Sequence, residues 1–151
     1  MKRFSDRLAL IAITLWVGGL WTIGYLAAPV LFSALPTDKA MAGMLAGKMF
    51  TLLAYVGMGC GFYLLIHRMT NFGTAALKHG FFWATLVMLL LVIAGHFGIQ
   101  PILESLKNQA LPKEVMETLF QDRFVRWHGI ASIVYLIQSL LGLVLVLSPG
   151  K

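Results

Sequence analysis

The most versatile groups in this sequence are the imidazoles of His128 and His96. A neutral imidazole can ligate a metal or a haem iron, or exchange a proton near neutral pH. Both lie toward the ends of long apolar runs, where a polar side chain is costly unless it faces other protein. His128 heads a stripe at spacings of three and four that continues through Ser132, Tyr135, Ser139 and Gly142. Other runs place in phase Thr85, His96 and Gln100; Thr14, Gly18, Trp21 and Tyr25; and Lys48, Thr51, Tyr55 and Met58. At about 1.5 Å per residue, Tyr25, Lys48, His96 and His128 fall at a common depth of roughly 22–29 Å from the opposite ends of their runs. The expectation is a polar pocket near one membrane boundary, built from His128, Lys48, His96, Tyr25, Ser132, Tyr135, Gln100 and Arg126.

Thioether beside imidazole suits copper, above all Cu(I). Met41, Met44 and Met49 share the boundary of the two histidines, so His128, His96 and Met44 are the candidate metal ligands. A plainer reading of the same residues stands beside this one. Lys48 and Arg126 can snorkel toward lipid phosphates, the histidines can make ordinary interfacial hydrogen bonds, and methionines fill gaps. Ser, Thr and Gly in such runs are often packing devices. Gly57 and Gly61, with Gly43, Gly47 and Ala54, put small residues on one side of their helix, suited to close contact within the bundle, with Gly18, Gly19 or Gly24 as partners.

The elements that must position these groups follow from composition. Of 151 residues, 59% are hydrophobic and 12% charged, and the mean hydropathy is +0.82; soluble domains carry about a quarter charged residues. The apolar excess is gathered into runs at 8–32, 50–66, 81–100 and 125–147, close to the roughly 20 residues that span a bilayer. The fold class expected is all-α: one domain, a bundle of four transmembrane helices. Pro36-Thr37-Asp38 is a start signal that would begin the second helix well before residue 50. Leu8–Phe32 is too long for a signal-peptide core and reads as an uncleaved first span. Pro101 and Pro112 each suit a first helical turn, predicting helical extensions in the link between the third and fourth runs.

The net charge of +6 comes from basic residues at the ends of apolar runs, where they act as topology signals and headgroup contacts rather than a nucleic-acid surface. Lys2, Arg3, Arg7, Arg68, Lys78 and Lys151 fall on one side, and Lys39, Lys48, Lys107, Lys113, Arg123 and Arg126 on the other. The N-terminal cluster decides the tie and places both termini in the cytoplasm. Trp83 and Trp127 suit interface anchors. Cys60 alone allows no internal disulfide. There is no phosphate-binding loop, HExxH, cysteine pair or GxSxG, which leans away from an enzyme.

Several segments are similar in order to the transmembrane protein 205 family, carried by bacteria as small stand-alone proteins (domain of unknown function 4149). They are Leu15-Trp16-Val17-Gly18-Gly19, Ala28-Pro29-Val30-Leu31-Phe32, Gly47-Lys48-Met49-Phe50, Gln100-Pro101-Ile102-Leu103 and Phe124-Val125-Arg126-Trp127-His128-Gly129-Ile130-Ala131-Ser132. The resemblance implies a four-helix protein of the bacterial inner membrane, with Lys48, Pro101, His128 and Ser132 at recurring positions, and it brings no established activity. More remotely, the first run resembles CopD-type copper-resistance proteins and four-helix protoporphyrinogen oxidases. Three functions are therefore expected to compete: handling of a metal ion or small solute; a haem-binding or redox role with His128 paired to Lys48, His96 or a Met; and a non-catalytic assembly factor whose acidic outer link meets a partner. The bilayer is the one partner common to all three, and copper or haem would be the cofactor.

Overall fold

A computed structural model of the protein describes residues 2–109 and 116–148, with side chains over 3–106 and 122–148. The expectations placed on Pro112, Glu114 and the side chains of Lys2, Lys107, Lys113, Glu117 and Lys151 lie outside the described residues.

All regular structure among the described residues is helical. Helix α1 (2–34) is α-helical over Lys2–Trp21, π-helical over Thr22–Ala27 and α-helical again over Ala28–Ala34. Helix α2 is Lys39–Phe72, followed by a 3-10 turn at Gly73–Lys78. Helix α3 (80–109) repeats the pattern of α1: α-helical Gly80–Ala94, π-helical Gly95–Ile99, α-helical Gln100–Gln109. Helix α4 is Met116–Leu147. Among the described residues, four helices are long and apolar enough to cross a membrane.

The two widened turns share one sequence feature. Each ends two residues before a proline, Pro29 or Pro101. A proline inside a helix lacks the N–H that would bond four residues back, and its ring collides with that carbonyl. The carbonyls concerned belong to Tyr25 and Phe97, each inside a π-turn, and the wider turn relieves the collision. Pro101 thus lies in the first turn of the α-helical stretch Gln100–Gln109, as expected, and that stretch continues α3 instead of starting a separate helix.

The start of α2 obeys its local signal: the Asp38 carboxylate accepts from the Met41 N–H at 2.9 Å. With 34 residues, α2 is about 51 Å long, well beyond a hydrocarbon core of about 30 Å. Its far end stops at Gly73, whose φ of +54° suits glycine alone without strain.

Helix α1 packs on α2, α2 on α3, α3 on α4, and α4 back on α1. The centre is Trp16, fully buried with Leu20, Leu64, Met88 and Leu145. Its indole lies over Gly57 and Gly61: a Cβ added at Gly57 would stand 2.5 Å from Trp16 Nε1, and one at Gly61 3.1 Å from the ring. The small residues of α2 thus admit a large side chain rather than a second glycine-lined backbone. Gly18 faces nothing within 4 Å, Gly19 would meet Leu53, and Gly24 would meet Tyr135 of α4.

Candidate functional site

Polar side chains cross between helices at the end of the molecule where the two π-turns lie. The Gln100 amide, one residue past the second π-turn, reaches α2: Nε2 donates to Thr51 Oγ1 at 2.6 Å and approaches the Gly47 carbonyl at 3.4 Å. Thr51 in turn donates to that carbonyl at 3.0 Å. A carbonyl cannot donate, so the amide nitrogen must face Gly47, and the amide oxygen faces the other way. There it lies 3.1 Å from His96 Nδ1. Because a carbonyl oxygen only accepts, Nδ1 carries the proton, and in the neutral ring Nε2 keeps its lone pair. Tyr55 and Phe97 meet the imidazole edge-on, with centroids at 5.0 and 4.8 Å.

A second chain joins α1 to α4. Tyr25, within the first π-turn, donates its hydroxyl to Ser139 Oγ at 2.9 Å, and Ser139 donates to the Tyr135 carbonyl at 3.0 Å. The Tyr135 hydroxyl donates to the Leu20 carbonyl, which lies just before the π-turn. The two tyrosine rings meet edge-on at 6.1 Å, and Phe50 packs on Tyr135 at 5.4 Å. Phe50 and Thr51 are neighbours on α2, so the two chains form one belt across all four helices. Of the expected pocket residues, the belt joins His96 with Gln100 and Tyr25 with Tyr135.

The remaining candidates stand apart. Lys48 is exposed, while Thr51, three residues on, is half-buried; the stripe that was to carry both inward splits, and among the described residues no hydrogen bond or ion pair to Lys48 is found. Arg126 and Ser132 are also exposed, and Ser132 merely donates to the His128 carbonyl at 2.9 Å. His128 is exposed and stacks on Phe124 at 5.8 Å with a 12° tilt. The inward part of the α4 stripe is Tyr135, Ser139 and Gly142, the last against Val17. On α1 the buried face is Ala9, Ile13, Trp16 and Leu20, offset from the expected Thr14–Gly18–Trp21 stripe, and the exposed Thr14 bonds back to Leu10. Met44 is exposed as well. Among the described residues, no group of three His, Cys, Asp or Glu side chains is arranged to hold a metal, and no contact joins the two imidazoles.

Two open apolar grooves are found among the described residues, one of about 620 Å³ along Leu10–Ile23 of α1 and one of about 410 Å³ near the opposite end of α2. Neither is lined by the belt. Sequence reasoning undervalued Thr51, Tyr55 and Ser139, which it had placed on stripes, and missed Phe50 and the π-turns. The signal for the turns was available in the two mid-run prolines.

No curated protein and no solved structure matches the chain. The family described as Domain of unknown function (DUF4149) matches residues 11–112, about two thirds of the chain, a range that takes in Tyr25, Thr51, His96, Gln100 and both π-turns and leaves α4 outside. The chain belongs to the DUF4149 family.

Proposed function

We propose that this protein is an integral membrane four-helix bundle whose functional centre is the polar belt, and that it handles a metal ion or small polar solute at His96. The observation that carries this reading is the hydrogen-bond chain from Gly47 through Thr51 and Gln100 to His96 Nδ1. An imidazole held by one nitrogen presents the other in a fixed direction, the usual arrangement behind a metal-ligating or proton-accepting histidine. π-turns of this kind recur at functional sites, and both of them flank the belt. The ligand role thus moves from His128, exposed and stacked on a phenylalanine, to His96.

Methionine and imidazole at the same boundary make Cu(I) the first metal to try. Anaerobic purification of the full chain, with absorbance and elemental analysis after Cu(I) loading, tests the reading. Wild type and His128→Gln are expected to retain metal, and His96→Gln to lose most of it while remaining folded and membrane-inserted. Equal metal content in wild type and His96→Gln would remove His96 as the ligand.

A further inference from the structure

At the other end of α2 a cation is buried without a counter-charge. Arg68 is 4% exposed, although its position at the edge of an apolar run suggested a solvent-facing topology signal. Its guanidinium lies between two rings, 4.7 Å from the centroid of Phe72 and 4.6 Å from that of Phe81. Cation–π contact satisfies the faces of a guanidinium but not its N–H edge. Among the described residues nothing accepts from Nε or Nη2, and His79 Nδ1 is likewise buried without a partner. The His79 ring packs edge-on against Phe72 at 5.1 Å, so the two unpartnered groups flank one phenylalanine. No described carboxylate answers the charge: Asp6 pairs with His67 at 3.1 Å, and Asp38, Glu104 and Asp122 belong to the opposite ends of their helices.

A buried cation with open donors is costly unless an anion meets it. The surroundings favour an oxyanion. Helix α3 begins at Gly80 with no side-chain cap, and its first N–H groups add positive potential beside Phe81. Phe72 is 43% exposed, so it is the more open of the two rings that cover the guanidinium. Trp83 is also exposed, with its indole N–H bonded to the Leu77 carbonyl at 2.8 Å, as suits a side chain at the headgroup level. An open apolar groove of about 410 Å³ is lined by Leu65, Ile66, Met69, Thr70, Leu77 and Phe82, of which Met69 and Phe82 are the chain neighbours of Arg68 and Phe81.

We propose that Arg68, with His79 and the first amides of α3, binds the phosphodiester of an anionic phospholipid, one acyl chain lying in that apolar groove. The guanidinium edge meets two phosphate oxygens through Nε and Nη2, the bidentate geometry for which arginine is suited and lysine is not. The site is independent of the His96 centre and at the opposite end of α2, so failure of either leaves the other standing.

Native mass spectrometry of the full chain released from vesicles of equal phosphatidylglycerol and phosphatidylcholine tests this. Wild type is expected to retain phosphatidylglycerol preferentially, and Arg68→Gln to lower that preference by roughly tenfold, the effect of losing one charge-assisted pair. Arg68→Lys keeps the cation in place and is expected to fall between them. Absence of any preference in wild type overturns the proposal without recourse to a variant, as does equal preference in wild type and Arg68→Lys. A third arm adds inorganic phosphate to protein in phosphatidylcholine alone. Arg68-dependent protection by phosphate there, with none added by phosphatidylglycerol, would overturn the lipid source in favour of a free anion.

Discussion

The imidazole of His96 differs from that of His128 in what Gln100 does to it. The amide fixes the ring and its tautomer, while His128, with the same intrinsic chemistry, stacks on Phe124 and presents its backbone carbonyl to Ser132. Residue type alone could not separate the two, since the difference lies in the neighbours. Trp16 gives a parallel case in packing, because its burial depends on two missing Cβ atoms. Gly57→Ala is expected to destabilise the fold by about 1–3 kcal/mol through overpacking against the indole. Gly59→Ala, where a Cβ would meet nothing within 4 Å, is expected to be neutral or slightly stabilising through helix propensity. Reversible unfolding of the two variants in mixed micelles checks the contrast, and equal effects would show that the indole yields freely.

At the scale of elements, the four long apolar helices were legible because each apolar run is long enough to need a helix, and Asp38 was legible as a cap because its carboxylate acts locally. The runs understated the helices, however. The expected 50–66 became Lys39–Phe72, since helix continues past the point where hydrophobicity ends and mere length does not mark where lipid stops. The face assignments failed at identifiable places. On α1 the miss falls before the π-turn, at the exposed Thr14, whereas Tyr25 inside the turn reaches Ser139 of α4; on α3 the buried Thr85 and the belt residues His96 and Gln100 stand as expected. On α2 and α4 the stripes were wider than the actual contacts, so Lys48, His128 and Ser132 were drawn inward with neighbours that do face in. If Pro101 causes the second π-turn, Pro101→Ala should let residues 95–99 return to regular α-helix. Amide hydrogen exchange there is expected to slow, and the His96–Gln100–Thr51 chain to loosen. Unchanged exchange would place the cause elsewhere, for example in Gly95 or Gly98.

For the whole molecule, we propose that the four long apolar helices span a bilayer with both termini on one side, the side that the N-terminal basic cluster would make cytoplasmic. A reporter fused after Lys151 that acts only in the cytoplasm is expected to be active, and an export-dependent reporter at the same place silent. The reverse pattern would move the belt to the cytoplasmic face and Arg68 to the outer leaflet. Two kinds of polar site are thus separated along the helices: hydrogen-bonded side chains that join helices at the π-turn end, and a buried guanidinium with unpartnered donors at the Arg68 end. The central claim is that His96 is a positioned ligand group rather than a packing histidine. Imidazole nitrogen NMR on ¹⁵N-histidine-labelled protein in nanodiscs, with His96→Gln to assign the signal, tests this most directly. The expected result is a His96 ring protonated at Nδ1, with a bare Nε2 whose resonance moves when Cu(I) is added. A ring protonated at Nε2, or an Nε2 signal indifferent to metal while His128 responds, would contradict it.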